Sequence, residues 1–572
     1  MQLSFKLKNY FLKKFKYIYF LVILLVYKSV LKVFFKDRKR YPINEPFLNF
    51  QLFNNINENK IFPQKLILPY ENIKFIDRQR RDISYESLEA CIIGPRKQIK
   101  IPIKETNSLI LPIAVLDKSI FPLNKRTNLK ILFGKKNYSL DIFDVNKFHY
   151  LPLKQNNLFN EVIVKSSSSN LAISKPINNF INSRKENNKL IVHILVDALA
   201  QHLIDIYGWD IMPNTYNFFK DNGAFFENAY SQSEWTLPSI TSLFTGEYTN
   251  KHLIFHPRDQ KKIKLPTLAD ELSKNGFYTF SCSAIRLVNP FNGFDKGFDR
   301  FINANGKDDN FIINQAIEQI DSYSGSQYLF LGLFDFHDYN DSVIGISNQY
   351  KSNLIDFDYS MHTNSLVDMP YKNNNKNKSK SSLFNQARVN RAKNALIQLD
   401  KKLNRLFKFI EDHDMKSIVI VNADHGVHSL KKINNERLLS SNRQKVVFLY
   451  KDNNLTKGTD DPKEIIELPS MLFNTLGLDN PFKYEKKDYA LSESIYPNRH
   501  YEISIRTKKH VFFYFLSWDK LLKNNLQPCF SSISLLNDES NILNNKLPEF
   551  KRLSLIALKH ASLTFKSLKN QF

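Results

Sequence analysis

The chain has 572 residues, enough for two or three domains of roughly 100–200 residues and for a large buried core. Hydrophobic residues make up 42% and charged residues 24%, ordinary globular proportions that exclude a disordered chain, a collagen and a polytopic membrane protein. Lysine and arginine number 81 against 56 acidic residues, and the resulting +25 favours anionic company such as nucleic acid, acidic lipid, or phosphorylated or sulfated substrates.

At the N-terminus, Tyr17 to Tyr27 (YIYFLVILLVY) is an apolar run of 11 residues preceded by Lys13, Lys14 and Lys16. A membrane span needs about 20 apolar residues, and Lys28 ends this run too early. The following KSVLKVFFKDRKRYP offers no small-residue cleavage site of the kind a signal peptide carries. Lys28, Lys32 and Lys36 form one stripe on a helix, with Leu31, Phe34 and Phe35 off it. Residues 1–40 are therefore expected to form a basic apolar helix that touches a membrane surface through residues 10–36. A helix packed on its own protein is the alternative. The chain is placed in the cytoplasm or on the cytoplasmic face of a membrane, with an exported form left open. Cys91, Cys282 and Cys529 are odd in number, far apart and in no CxxC pairing, which argues against a disulfide scaffold or a zinc ribbon.

Over 45–165, short β-type runs such as KLILPY, QIKIPIK, SLILPIAVL, LKILFG, YSLDIF and EVIVK alternate with turn residues, the pattern of a small β-sandwich. Lys165 to Asn170 (KSSSSN) reads as a linker after it. The pattern then changes. Lys189 to Asp197 (KLIVHILVD) is a continuous apolar run ending in an acid, which suits a buried parallel strand with a functional carboxyl end. Tyr328–Phe334, Ser417–Asn422 and Val446–Tyr450 are further candidates for such strands. Between them Asn385–Asp412 keeps a 3.6-residue apolar period through Leu396, Leu399, Leu403, Leu406 and Ile410. Strands alternating with helices predict a layered α/β domain over 185–515, with helices on both faces of the sheet, and a C-terminal extension over 516–572. A polar stretch over 342–383, with KNNNKNKSKSS, is expected as a loop or lid.

Four places in the α/β region carry chemistry. Asp197 ends the first strand, Asp335-Phe-His337 follows another, and Asp424-His-Gly426 follows a third. Thr236 stands just before Leu-Pro, where a helix start would turn backbone N–H groups toward an anion. Singly, each of these is more often a cap or a turn. Together, acids and histidines at the ends of parallel strands converge on one crevice, and they suit a divalent metal such as zinc, manganese or calcium. A hydroxyl beside such a metal becomes a nucleophile.

The order of the segments resembles the sulfatase-like branch of the alkaline phosphatase superfamily. LVDALAQHLIDIYG and MPNTYNFF match its opening strand, YG and TPN segments, and Gly223 to Ser231 (GAFFENAYS) matches its GxxFxNAYS. Trp235 to Gly246 (WTLPSITSLFTG) matches the nucleophile segment. LPTLADEL, GFDKGFD, Asp335–His337, Asp424–Gly426 and ELPSMLFNTLG follow in the family's order, so that the resemblance covers roughly 190–515. It implies an alkaline-phosphatase-like sheet preceded by the small β-sandwich.

Departures from the pattern narrow the expectation. Thr236 stands where a sulfatase has the Cys or Ser that becomes formylglycine, Ile240 replaces the motif's Arg, and Ala198 replaces a second Asp. The Lys and His of the family's GKWHLG-like segment are missing. Cys282-Ser-Ala-Ile-Arg286 only mimics the modification motif, in the wrong segment and without its Pro. What remains resembles the single-metal centre of Thr-nucleophile relatives. By that resemblance Asp197, Thr236, Asp424 and His425 hold one divalent ion, Thr236 attacks, and His337 serves as acid or oxyanion donor. His252 or Arg286 contacts the anionic substrate. His428 reads as a loop residue. The expected activity is hydrolysis of phosphate or phosphonate esters before sulfate esters. Two alternatives are a phosphoalkyl transferase to a glycan or lipid acceptor and a non-catalytic binding protein of the same fold. Nucleic acid is not an expected partner, since no RNP-like motif or finger spacing is present.

Overall fold

A computed structural model of the chain describes residues 62, 64–70, 84–116, 127–142, 146–166, 169–177, 188–256, 261–305, 307–337, 381–413, 415–427, 437–452, 461–496 and 500–569. The expected helix over 1–40, the polar stretch up to 380 and His428 lie outside these residues. Contacts divide the chain into Met1–Asn49 and Phe50–Phe572, and everything described below belongs to the second unit. Among the described residues no helix is long and apolar enough to cross a membrane.

The first seven strands are β1 (Gln64–Pro69), β2 (Tyr85–Ile93), β3 (Gln98–Leu116), β4 (Thr127–Phe133), β5 (Lys136–Ile142), β6 (His149–Ser166) and β7 (Asn170–Ser174). The next nine are β8 (Lys189–Val196), β9 (Gly223–Phe225), β10 (Ala229–Tyr230), β11 (Tyr278–Ser283), β12 (Arg300–Asn303), β13 (Gln327–Leu333), β14 (Lys416–Asn422), β15 (Phe448–Lys451) and β16 (Lys463–Glu464). One sheet runs through most of them in the order β5-β4-β6-β3-β7-β2-β12-β11-β13-β8-β14-β15-β9, with β1 paired to β2.

Its centre is parallel, from β12 through β11, β13 and β8 to β14. Strand β8 sits in the middle because KLIVHILV is apolar on both faces and helices cover both, so that every residue after Lys189 is buried. On the helix Ser381–Glu411, Leu396, Leu399, Leu403, Leu406 and Ile410 are all buried on the face packed against the core, as their spacing predicts. Asp400 on the same helix takes the place of a local cap for the helix Pro213–Phe219. Its Oδ1 accepts from Thr215 N at 2.8 Å, and its Oδ2 accepts from Asn214 Nδ2 at 2.6 Å.

One strand expectation is corrected. Val446–Tyr450 was expected as a buried parallel strand, and β15 instead runs antiparallel to β14. A parallel return needs a crossover, usually a helix, whereas the described residues between them hold only the short helix Ser441–Gln444.

The N-terminal β-rich region is present, with an apolar core of its own built from Ile99, Leu111, Ile131, Val164 and Ile173 among others. The register of β3 with β6 shifts between Pro102 and Ser108, so both halves of this long antiparallel pair feed that core. It is continuous with the α/β sheet, because β2 pairs antiparallel with β12. The serine-rich segment expected as a linker leads from β6 into β7, which pairs back onto β2 and β3. Partly buried Arg300 of β12 seals the junction, with Nε 2.8 Å from Glu86 Oε1 and its guanidinium over the Tyr150 ring.

A second sheet is antiparallel, in the order β17 (Ala490–Tyr496), β18 (His500–Arg506), β19 (His510–Ser517), β20 (Phe530–Leu535) and β21 (Asp538–Ile542). The helix Pro548–Lys569 packs Leu553, Ala557, Ala561 and Leu568 onto it. The boundary expected at residue 515 therefore falls inside β19.

Candidate active site

The site forms at the C-terminal ends of β8, β13 and β14, where a parallel sheet aims its strand ends at one crevice. Asp197 follows β8 directly, and its N–H donates to the Leu333 carbonyl of β13 at 3.0 Å. The chain then turns sharply. Ala198 takes a left-handed φ of 64°, uncommon for a residue with a Cβ. That turn lets the Ala198 N–H donate to Asp424 Oδ1 at 3.1 Å, joining the two strand ends.

Asp424 Oδ1 also accepts from the His425 N–H at 3.0 Å, while Oδ2 is buried with no hydrogen-bond partner among the described residues. His425 Nδ1 lies 2.8 Å from the Gly426 carbonyl, which can only accept. The proton is therefore on Nδ1, and Nε2 presents a lone pair. Around Nε2 stand Thr236 Oγ1 at 3.1 Å, Asp424 Oδ2 at 3.5 Å and Asp197 Oδ1 at 3.7 Å. Burial holds the His425 ring below the usual histidine range, against the pull of Asp424, which keeps it neutral at pH 7.

Thr236 opens the helix Thr236–Thr245, whose N-cap, Trp235, contributes no side-chain cap. Leu237, Ile240, Leu243 and Phe244 bury the helix in the core and fix where its first residue points. His337 Nε2 lies 4.0 Å from the same Asp197 Oδ1, and the ring is a quarter exposed and stacked on Phe334 at 4.9 Å. Asp335, expected from the DxH segment, does not join the cluster. It pairs with Lys402 Nζ at 2.5 Å, and together with Asp309, which accepts from Phe334 N at 2.9 Å, it anchors the turn that carries His337. Burial, helped by Asp335, pushes the Asp309 carboxyl up to about 7.

The structure thus brings together Asp197, Thr236, His337, Asp424 and His425. It does not bring His252 to them. The His252 Nδ1 accepts from Ile254 N at 3.2 Å and its Nε2 faces Ser242 Oγ at 2.9 Å, two turns down the helix from Thr236. Burial pushes its pKa down to about 3, so the ring is a neutral structural group and not an anion contact. Arg286 is half-buried beyond the end of β11, two strands from β8, and its side chain has no hydrogen bond or ion pair among the described residues. Cys282 is buried within β11, where burial pushes its thiol up.

One residue beside the site carried no sequence signal. Arg443, 5% exposed, sets its guanidinium carbon 6.0 Å from the centre of the Trp235 ring. In a chain this basic, one buried arginine does not stand out from solvated ones. Gly426, the last residue of the Asp424-His-Gly426 segment, has a steric reason: a Cβ there would meet Asn442 O at 2.2 Å, so only glycine lets the loop after β14 lie against the segment before β15.

One ligand atom each from Asp197, Asp424 and His425 lies within 4.8 Å of the others. Two carboxylates, an imidazole lone pair and a facing hydroxyl, with one buried carboxylate oxygen lacking any hydrogen bond, fit a divalent cation. The sheet is a layered α/β fold of the alkaline-phosphatase-like type. The model of the Sulfatase family matches residues 189–472, and this segment is similar to that family.

Among curated proteins the chain is similar to the extracellular sulfatase SULF-1 homolog of Drosophila melanogaster, 29% identical over 119 residues. That stretch is 20% of this chain and only 10% of the relative, so the chain spans about a tenth of the relative's length. A protein solved in complex with its substrate, D-glucosamine-2-N,6-O-disulfate, is similar in fold with a TM-score of 0.50 and 11% identity, covering 67% of this chain and 98% of its own. The phosphonate monoester hydrolase of Agrobacterium radiobacter reaches a TM-score of 0.48 at 12% identity, over 66% of this chain and 96% of its own. The family match puts sulfate esters ahead of phosphate esters, reversing the order that the departures from the sulfatase pattern suggested.

Proposed function

We propose that the protein hydrolyses anionic esters, sulfate esters first and phosphate or phosphonate esters as variants of the same reaction, with Thr236 Oγ as the attacking atom. One observation carries this reading: the Thr236 hydroxyl stands 3.1 Å from a neutral His425 nitrogen, beside two buried carboxylates, at the start of a helix. Asp197, Asp424 and His425, with Thr236 facing them, would hold a divalent ion such as manganese, zinc or calcium, which supplies Lewis-acid activation of the hydroxyl and neutralises charge on the ester.

The remaining steps belong to the chain. The Nδ1–H bond to Gly426 holds His425 in the tautomer that presents Nε2 forward. Two backbone N–H groups on Asp424 Oδ1 leave Oδ2 for the centre. The buried helix Thr236–Thr245 delivers Oγ without a rotamer search at the moment of attack. His337, partly exposed with Nε2 4.0 Å from Asp197 Oδ1, would give a proton to the departing oxygen. A sugar ester is a natural substrate class to try, since the solved protein of similar fold was captured with a sulfated glucosamine.

The test is turnover of p-nitrophenyl sulfate, p-nitrophenyl phosphate and bis-p-nitrophenyl phosphate with added Mn²⁺, Zn²⁺ or Ca²⁺, beside a Thr236→Ala control. Metal-dependent turnover that disappears in the control supports the proposal, and turnover that persists in the control removes Thr236 from its role. Product analysis with an added alcohol reads the acceptor: an alkyl ester product in place of free anion would make the protein a transferase.

A further inference from the structure

We infer that Arg443 is a positioning residue that sets the approach of Thr236 to His425; the inference rests on Thr236 being the attacking residue. Arg443 comes from the short helix Ser441–Gln444, far in sequence from Thr236 and a short stretch of chain beyond His425. Its guanidinium carbon lies 6.0 Å from the centre of the ring of Trp235, the residue that precedes Thr236. Its backbone carbonyl accepts from the Gly426 N–H at 2.7 Å. The Gly426 carbonyl accepts from His425 Nδ1 at 2.8 Å, and the other nitrogen of that ring faces Thr236 Oγ1 at 3.1 Å.

These contacts close a ring that leaves Thr236 through Trp235 and returns to it through Arg443, Gly426 and His425. The two loops that meet in this ring are in backbone contact, since a Cβ on Gly426 would lie 2.2 Å from Asn442 O and 3.1 Å from Arg443 C. A shift of Arg443 therefore moves both sides of the Thr236–His425 contact.

Two buried acids feel the charge of the guanidinium. Glu234, 1% exposed, sits two residues before Thr236, and its carboxylate accepts from Ser494 Oγ at 2.5 Å and Ser233 Oγ at 3.2 Å. Its burial pushes the carboxyl up and the charge of Arg443 draws it back down. Glu502 of β18 is also buried, and Arg443 is among the cations that act on it. Strand β17 fastens the same loop, with Ser492 Oγ donating to Ser231 O at 2.6 Å and Glu493 N to Gln232 O at 2.9 Å. Burial beside an aromatic face restricts the planar guanidinium, as a device that fixes a distance requires.

The experiment uses the full chain with Arg443→Lys and Arg443→Gln, and reads kcat and KM on the best p-nitrophenyl ester together with amide hydrogen exchange of segments 233–238 and 423–427. Attack needs the reacting atoms about 3–3.5 Å apart, and a misplacement of about 1 Å costs on the order of 100-fold. Arg443→Gln is expected to lower kcat about 100-fold and Arg443→Lys about 10-fold, with KM within about twofold, on that scale. Exchange is expected to rise in both segments together. Adding Trp235→Phe to Arg443→Gln should cost little more, because both changes open the same ring.

An unchanged kcat, a loss confined to KM, or faster exchange only around 441–445 would overturn the inference. Should Arg443→Gln fail to fold, Arg443→Lys decides by the same readouts. If the wild type turns over no ester, the proposed function fails on its own, and the exchange data still judge Arg443: a joint rise supports it and a local rise sinks it.

Discussion

Strands β8 and β14 carry a histidine and its partners in the middle of the sheet and another set at the sheet's C-terminal end, and the two differ in what they leave over. In the middle, His193 is fully buried, with Nδ1 3.1 Å from the Tyr328 hydroxyl and Nε2 2.8 Å from Asn422 Oδ1. Burial lowers its pKa to about 4, so the ring is neutral and both its nitrogens are occupied. The leftover there is a donor, Asn422 Nδ2, which holds no cation. At the end, His425 is also neutral, but only Nδ1 is committed to the backbone, and Nε2 and Asp424 Oδ2 face the same point as the Thr236 hydroxyl. Residue type is similar in the two places. A buried acceptor without a hydrogen-bond partner among the described residues, Asp424 Oδ2, beside a facing imidazole and hydroxyl, is what marks the second as a site.

The comparison can be broken most directly at Thr236. Thr236→Ala should lower turnover by about 10³-fold or more with its thermal midpoint unmoved, whereas Thr236→Ser should keep a measurable part. An active alanine variant would reduce the strand-end cluster to a structural group. Asp424→Asn comes next. It keeps an acceptor for the Ala198 and His425 N–H groups but removes the charge facing His425. Metal content by atomic absorption should fall, and turnover should drop at least roughly 10–100-fold. His337→Ala should cost about 100-fold in kcat on a phenyl ester, whose leaving oxygen needs a proton, and less on a p-nitrophenyl ester. Equal losses on the two esters would remove the proton-donor role.

The smallest effect on turnover belongs to the middle of the sheet. His193→Phe leaves buried groups of Tyr328 and Asn422 unpaired, so urea unfolding should show a loss of about 1–3 kcal/mol while kcat stays within about twofold. Loss of activity in the folded variant would erase the distinction between the two regions.

Stability should also depend on pH. His193 at about 4 and His252 at about 3 titrate below the ordinary histidine value of about 6.5, so the unfolded chain binds more protons than the folded one in acid. Their contribution is fully present above pH about 6.5 and is lost as pH falls through that value toward about 4. The urea midpoint should therefore drop between pH 7 and pH 4.5, and less steeply in His193→Phe. A midpoint insensitive to pH over that window would mean that these rings are not held neutral.

Much of the α/β layer could be read without coordinates. The run KLIVHILV announces a strand buried on both faces, and the period of Leu396 to Ile410 announces the helix Ser381–Glu411, because both signals are local. Less visible were contacts between distant segments. The pairing of β2 with β12 joins residues more than 200 positions apart, and the antiparallel sense of β15 depends on what bridges it to β14. The division at 515 missed that the C-terminal strands form a sheet of their own.

The amino-acid sequence by itself determined the order of the chemistry, Asp197, Thr236, His337, Asp424 and His425, and the elements at whose ends they stand. Tertiary structure decided which polar residues had capacity left to act. Asp335 and His252 share residue type and neighbourhood with the cluster, yet one is taken up by Lys402 and the other by Ser242. Only the fold brought Arg443 against Trp235 and set Gly426 beneath it. The physical reason is that a ligand or nucleophile is defined by unspent hydrogen-bonding capacity in a buried place, and the residues that spend it or spare it come from distant parts of the chain.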